Sequence, residues 1–214
     1  MSVGAGMSGE VALKPIAPAT TNVEDQASLQ NFGVSPGVAP WVSGRLGLAG
    51  SNEAGLTYSG RSIRADARHA FSLGKPTLSI GLGVSALLAH APGSGSDPSG
   101  IYGAGFDIPV LLGIHSANDI YALWFGPRGG FEYLAGGLQL ADVGSPLDVH
   151  ARHFYGSLVG GFRVGFRHVH VAVELDATYH VATGDFAVTG STATSSASVQ
   201  MVTLTPAGAL EINF

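Results

Sequence analysis

The chain ends in Ala209-Leu210-Glu211-Ile212-Asn213-Phe214, where Leu210, Ile212 and Phe214 alternate with Ala209, Glu211 and Asn213. Side chains on a strand point to opposite faces in turn, so the stretch reads as a strand with one apolar and one polar face. Extended backwards, the apolar face gains Val202, Leu204 and Pro206, and the other face Met201, Thr203 and Thr205. A chain that stops on an aromatic, in mid-strand and with no polar tail, raises the question of what covers its apolar face.

The same two-residue period recurs upstream. Val169, Val171, Val173, Leu175, Tyr179 and Val181 oppose His168, His170, Glu174, Asp176, Thr178 and His180. Phe154, Leu158, Phe162, Val164 and Phe166 oppose His153, Tyr155, Ser157 and Arg163. Leu78 to Leu88 and Phe106 to Ile114 repeat the pattern, and Gly129-Gly130 and Gly136-Gly137 mark expected bulges in a less regular strand. Alternating segments fall at Trp41–Ala49, Glu53–Phe71, Thr77–Ala91, Ile101–His115, Ile120–Leu140, Asp148–Arg167, His168–Val181 and Val199–Phe214. That predicts about eight strands, long beside the usual five or six residues. A Gly-, Ser- and Thr-rich stretch over Ala182–Ser198 reads as a flexible surface loop.

Residues 1–38 differ. Pro15, Pro18 and Pro36 punctuate them and little alternates, so they read as an extended or poorly ordered N-terminal periplasmic segment, with a short helix around Val23–Leu29. Residues 39–214 then form the one strand-built domain. Met1-Ser2-Val3-Gly4 carries neither a basic stretch nor an apolar one. Either a cytosolic address or an export signal lying outside this sequence is expected.

Composition narrows the class. Charged residues make up 12% of the chain, about half the usual share, and Gly reaches 32 of 214, about twice the usual frequency. Mean hydropathy is +0.29, yet no apolar run reaches the ~18–20 residues of a spanning helix. A net charge of −5 offers no basic surface for nucleic acid. The chain contains no Cys, which excludes disulfides, thiolate metal sites and Cys nucleophiles.

Two barrels share such a period. A soluble, lipocalin-like carrier turns its apolar face inward, and a membrane barrel turns it outward. The polar faces decide. They carry few Lys, many small residues, and Arg45, Arg64, Arg68, Arg128 and Arg163 against Asp66, Asp107, Glu132, Glu174, Asp176 and Glu211. A solvated surface would hold more charge and more Lys. Paired Arg and carboxylates among small residues suit a narrow lumen. Loop lengths agree: Leu73-Gly74, Ala117-Asn118 and Arg167-His168 are short, whereas Pro92–Gly100, Asp142–Pro146 and Ala182–Ser198 are long. Short periplasmic turns and long outer loops are the habit of membrane barrels, with Gly50–Asn52 the one short turn on the outer side. The expected fold is all-β: a closed antiparallel up-and-down transmembrane barrel.

The ALEINF terminus resembles the C-terminal signal of bacterial outer-membrane barrels, a final aromatic preceded by apolar residues at alternate positions. The resemblance implies that Leu210, Ile212 and Phe214 form an assembly signal read by the barrel-assembly machinery, with Phe214 at the periplasmic interface. Over residues 40–214 the chain resembles the small eight-stranded outer-membrane barrels of the OmpA-domain, OmpX and OmpW kind. That likeness is architectural, with no subfamily motif, and implies integral outer-membrane placement with both termini periplasmic.

For the lumen charges, a salt-bridge network filling the barrel is weighed against a conduction path. His168 and His170 share a face as a His-x-His pair can for a metal, and His153, His180 and Asp176 gather higher up, but no full ligand set is visible. His150-x-x-His153 lies near the outer rim. A Ser nucleophile needs a base within hydrogen-bond reach. Ser157 and His153 are four apart on one strand, about 13 Å, which leaves only a cross-strand His for Ser157. No catalytic residue, metal or cofactor is assigned. The reading is a non-catalytic outer-membrane barrel with a structural or interaction role and surface-exposed loops. A small transport barrel and a lipid-modifying enzyme are the alternatives, besides the soluble carrier. Its expected partners are membrane lipid and lipopolysaccharide, the assembly machinery, and a protein at the loops or N-terminal segment.

Overall fold

The computed structural model describes residues 1–13, 23–34, 37–60, 62–88, 96–140, 147–188, 192 and 194–214. Ten antiparallel strands close into a barrel: β1 (Ser2–Ala12), β2 (Gly37–Leu48), β3 (Asn52–Ser59), β4 (Ser62–Ser72), β5 (Thr77–Leu88), β6 (Ser96–His115), β7 (Tyr121–Leu140), β8 (Leu147–Phe166), β9 (Val169–Val188) and β10 (Thr194–Asn213). Each pairs with its sequence neighbours, and β1 joins β10 in a ladder that runs from Ser2 opposite Asn213 to Ala12 opposite Thr203. Between β1 and β2 lies a short helix, α1 (Val23–Leu29), which runs on into one wider helical turn over Gln30–Val34.

The expected number of about eight strands is corrected to ten, for two reasons. The first is β1, in the segment expected to lie outside the barrel. Its outward residues include Val3, Ala5, Met7 and Val11, but its inward ones are Ser2, Gly4, Gly6, Ser8 and Glu10, so the alternation is faint. The helix is where it was expected, yet it belongs to the barrel, as does β2 from Gly37 onward. Residues 1–38 are thus not a separate extended segment. The second reason is that Glu53–Phe71 is two strands. The chain reverses between Ser59 and Ser62, whose hydroxyls lie 3.0 Å apart. Ten strands also depart from the eight-stranded barrels the chain was expected to resemble.

Two further expectations change. The loop placed at Ala182–Ser198 is mostly strand: β9 continues to Val188 and β10 begins at Thr194. Pairing runs unbroken through Gly129-Gly130, whereas the β6–β7 register shifts between Asp97 and Gly100, with Gly100 opposite Gly137. The loop expected over Pro92–Gly100 is strand from Ser96 onward. Residues 92–95 and the loop expected at Asp142–Pro146 lie outside the described residues.

Both termini sit at one end of the barrel, where the Phe214 amide donates to the Met1 carbonyl at 2.9 Å. The connections at that end are tight. Gly50 (φ 72°) and Ser51 (φ 61°) form a two-residue turn with both residues left-handed, the hairpin geometry that matches strand twist. Gly50–Asn52, expected on the outer side, therefore belongs to the terminal end. The opposite end carries the long β1–β2 connection with α1 and the other loops. The reversal at Ser59–Ser62 is its one tight turn among the described residues.

The wall is uneven. Strands β2 to β5 are 8–12 residues long, whereas β6 to β10 have 20 each. Along β8, β9 and β10 the polarity of the two faces inverts without any slip of the pleat. On β9, Val171, Val173, Leu175 and Tyr179 point out and His170, Glu174, Asp176 and His180 point in. Further along, Thr183 and Asp185 point out while Ala182 and Phe186 are buried inside. On β8, Phe154, Leu158, Phe162 and Phe166 point out in the terminal half, but His150 and Arg152 do so in the loop half. There Leu147, Val149 and Ala151 turn in. β10 repeats the change, with Ser196 and Gln200 outside and Ala197, Val199 and Met201 inside.

The loop half thus has an ordinary apolar core, capped by α1. Leu29 and Val34 of the helical segment are buried against this core, which includes Phe186, Leu134 and Met201. Gly184 of β9 lets the helix close in, since a Cβ there would lie 3.2 Å from Leu29 Cδ1. Asp25 is anchored by the Ser195 hydroxyl at 2.5 Å, and Gln26 Nε2 donates to the Ser198 carbonyl at 3.3 Å.

The terminal half carries an exposed apolar outer belt with aromatic rims. Phe71, Tyr121, Phe166 and Phe214 are exposed toward the terminal end, and Tyr58, Tyr102, Tyr133 and Tyr179 toward the loop end. From Val169 to Tyr179 the rise is about 33 Å, or about 25 Å of height at a tilt near 40°.

Candidate functional site

The lumen of the terminal half collects the charged residues of the inward faces. Asp66 on β4 accepts from Arg45 of β2 at 2.6 Å and from Arg64 at 2.7 Å. Arg64 also grips Asp107 of β6 with two bonds, at 2.6 and 2.7 Å, and Arg128 of β7 reaches the same carboxylate at 3.2 Å. Glu53 on β3 takes Arg45 at 3.2 Å and Arg68 at 3.3 Å. Charges removed from water need such partners, and the two-pronged Arg64–Asp107 geometry is the strongest kind. Asp107 is 2% exposed, so it depends wholly on Arg64 and Arg128.

Inward glycines make room for these side chains. A Cβ on Gly83 of β5 would lie 2.4 Å from Arg64 Nη2, in the path by which the guanidinium crosses from Asp66 to Asp107. A Cβ on Gly161 would lie 2.4 Å from the Trp124 ring. Much of the high glycine content is therefore space for long lumen side chains.

Near the terminal rim, Arg163 bonds Asp119 at 2.6 Å and Glu211 at 3.4 Å. His170 Nε2 donates to the Asp119 carbonyl at 2.8 Å and is fully buried. His168 lies exposed in the β8–β9 turn, its Nδ1 donating to the Asn213 carbonyl at 2.9 Å. The two histidines weighed as a metal pair, His168 and His170, are thus split between two carbonyls. Among the described residues no group of three His, Asp or Glu side chains could hold a metal ion.

At the boundary between the halves a chain of hydrogen bonds joins four strands, β7 to β10. Glu132 Oε2 lies 2.8 Å from His153 Nδ1, His153 Nε2 2.9 Å from His180 Nδ1, and His180 Nε2 2.8 Å from Thr203 Oγ1. The carboxylate accepts, so with neutral rings both Nδ1 atoms carry the proton and the Thr203 hydroxyl donates. Glu10 of β1 lies 3.6 Å from His180 Nε2. The order hydroxyl, imidazole, carboxylate is that of an activated nucleophile. Thr203, however, is 0% exposed, so its hydroxyl is closed to any substrate. The row ties staves together.

His153 and His180 do meet, as their shared face suggested, while Asp176 bonds neither. Ser157 donates to the Arg128 carbonyl at 3.4 Å and has no imidazole partner. His150 points outward, on the opposite face from His153, and bonds the Tyr133 hydroxyl at 2.9 Å.

Glu174 and Asp176 sit on the β9 wall of a lumen cavity of about 270 Å³. Trp124 Nε1 donates to Glu174 at 2.7 Å, and Trp41, Arg128 and Glu211 also face this space. In the sequence Trp124 falls on the face of Arg128 and Glu132 but was not assigned to the lumen network, and Trp41 and Glu10 were not assigned to it either, Glu10 being hidden in the segment placed outside the barrel. At the terminal end, Leu210, Ile212 and Phe214 all point outward.

No family model matches the chain, and no curated protein matches it. Among solved structures it is similar to Neisserial surface protein A, with a TM-score of 0.38 and 11% identity over 100% of this chain and 96% of that one. It is also similar to the outer membrane channel DcaP of Acinetobacter baumannii, with a TM-score of 0.27 and 10% identity over 95% of this chain and 70% of that one. At those values the chain is similar to these proteins without being assigned to a family.

Proposed function

We propose that the chain is an integral bacterial outer-membrane barrel with a structural or interaction role and no catalysis. The observation that carries this reading is the outer surface. An apolar belt of roughly the ~25 Å height of a membrane barrel encircles the terminal half between two aromatic rims. In water, so large an apolar patch would drive aggregation. The inverted polarity of the loop half fits a portion that stands clear of lipid. By this reading the tight turns and both termini face the periplasm, and α1 with the longer loops faces outward. Leu210, Ile212 and Phe214 then present their alternating apolar face to the assembly machinery, and lipopolysaccharide surrounds the rim marked by Tyr133 and Tyr179.

A transport role has less support, because Leu29, Leu134, Phe186 and Met201 pack together as a buried apolar core in the loop half. The soluble-carrier alternative needs the apolar faces inside, and in the terminal half they are outside. The test is heat-modifiability of the full chain refolded in detergent. The expected result is a β-rich species whose gel mobility shifts on boiling. A chain that folds and stays soluble without detergent would overturn the reading.

A further inference from the structure

Two carboxylates of the lumen stand outside its short ion pairs. Arg45, Arg64, Arg68, Arg128 and Arg163 each lie within 3.3 Å of a carboxylate. Glu174 and Asp176, two residues apart on the inner face of β9, are in none of these pairs. Glu174 accepts one hydrogen bond, from the Trp124 indole. Asp176 Oδ1 is buried and has no hydrogen-bond partner. A carboxylate oxygen withdrawn from water without a partner is costly, and a cation beside the same carboxylate offsets that cost.

Asp176 and Glu174 border the cavity of about 270 Å³, which has an unusual lining: both tryptophans of the chain, Trp41 from β2 and Trp124 from β7. On the loop side it is backed by the buried His153–His180–Thr203 row and the apolar core. We propose that this cavity binds a small organic cation, a substituted ammonium group of about the size of choline. Asp176 and Glu174 supply the charge, and the indoles of Trp41 and Trp124 supply the walls. Indole is the best aromatic partner for a cation, and the volume lies just below the range of sites for drug-sized molecules. A bare metal ion is the poorer fit, since no three ligating side chains converge among the described residues. An anion would face Glu174, Asp176 and Glu211, with Arg128 already held by Asp107.

Because Trp41 and Trp124 are the two tryptophans of the sequence, the tryptophan emission of the full chain reports on this cavity. The refolded protein is titrated with choline chloride, with its neutral isostere 3,3-dimethyl-1-butanol, and with NaCl at matched ionic strength. The expected result is a saturable emission change with choline alone. Its affinity falls at least tenfold in Asp176→Asn and falls also in Glu174→Gln, while both variants keep the β-rich circular dichroism of the parent. A flat choline titration, an equal response to the isostere or to NaCl, or unchanged affinity in Asp176→Asn would overturn the proposal. The inference goes beyond the outer-membrane reading and is tested apart from it. A heat-modifiable barrel that ignores choline refutes the site alone. A chain folded without detergent refutes the membrane reading, and the same titration still reads the cavity.

Discussion

The two halves of the barrel share strands, hydrogen bonding and pleat, yet they are built to opposite rules. In the terminal half, Val171 and Leu175 face outward while Arg64 and Asp107 sit inside. In the loop half, Arg152 and Asp185 face outward while Phe186 and Leu134 sit inside. One strand, β9, passes through both regimes within 20 residues. The environment thus selects side chains face by face. A dyad period states that a strand exists, and only the side on which the apolar residues fall states what surrounds it.

Mutations sharpen this contrast. The largest effect is expected at Asp107. Replacing it by Ala strands Arg128 and leaves Arg64 with Asp66 alone, and breaking such a buried pair costs about 3–5 kcal/mol. Urea unfolding of the refolded protein, followed by tryptophan emission, measures it. In the loop half, Phe186→Ala removes a buried ring that packs in the core under α1, and is expected to cost about 3–5 kcal/mol by cavity formation. Circular dichroism follows that change. Tryptophan emission, from Trp41 and Trp124 in the terminal half, shows whether the two halves unfold together. Next comes the belt. Leu175→Arg places a charge on the outer face amid the apolar band, at about 2–4 kcal/mol if that face meets lipid. The same charge at Thr183, eight residues along the same face, is expected to change stability by no more than about 0.5 kcal/mol. Equal effects at the two positions would break the contrast. The smallest effect is expected at Glu53, whose side chain is 46% exposed. Glu53→Gln is expected to cost about 1 kcal/mol or less despite contacts to both Arg45 and Arg68.

How much of this was legible in the sequence depends on side-chain size. Strands β8 and β9 could be read because Phe, Leu and Val mark their outward faces in the terminal half. The charges of the lumen could be read because Arg64, Asp66, Asp107 and Glu174 fall on the opposite phase. What could not be read is where small residues serve as structure. In β1, Gly4, Gly6 and Ser8 face a crowded lumen, and a Cβ on Gly6 would lie 2.1 Å from the Gly208 carbonyl oxygen. The glycine required there erases the alternation that would have revealed the strand. The turn at Gly60 was hidden because β3 and β4 are short and flank it with serines. The far ends of β9 and β10 looked like a loop because Thr183, Ser196 and Ser198 face outward there and Ala182 and Gly184 face inward. The polar network was foreseeable in its members but not in its pairing, which depends on register around ten strands. Arg64 reaches Asp107 across the intervening strand β5, and no spacing in the sequence predicts that contact.

The most direct test of the two-halved barrel uses the absence of cysteine. Single cysteines are placed on the outward face of β9, as Val171→Cys, Leu175→Cys, Thr183→Cys and Asp185→Cys. Each protein is refolded into phospholipid vesicles and treated with a membrane-impermeant maleimide. Protection at 171 and 175 with rapid labelling at 183 and 185 is the predicted result. Equal labelling at all four positions would contradict it, since the outward face of the terminal half would then meet water.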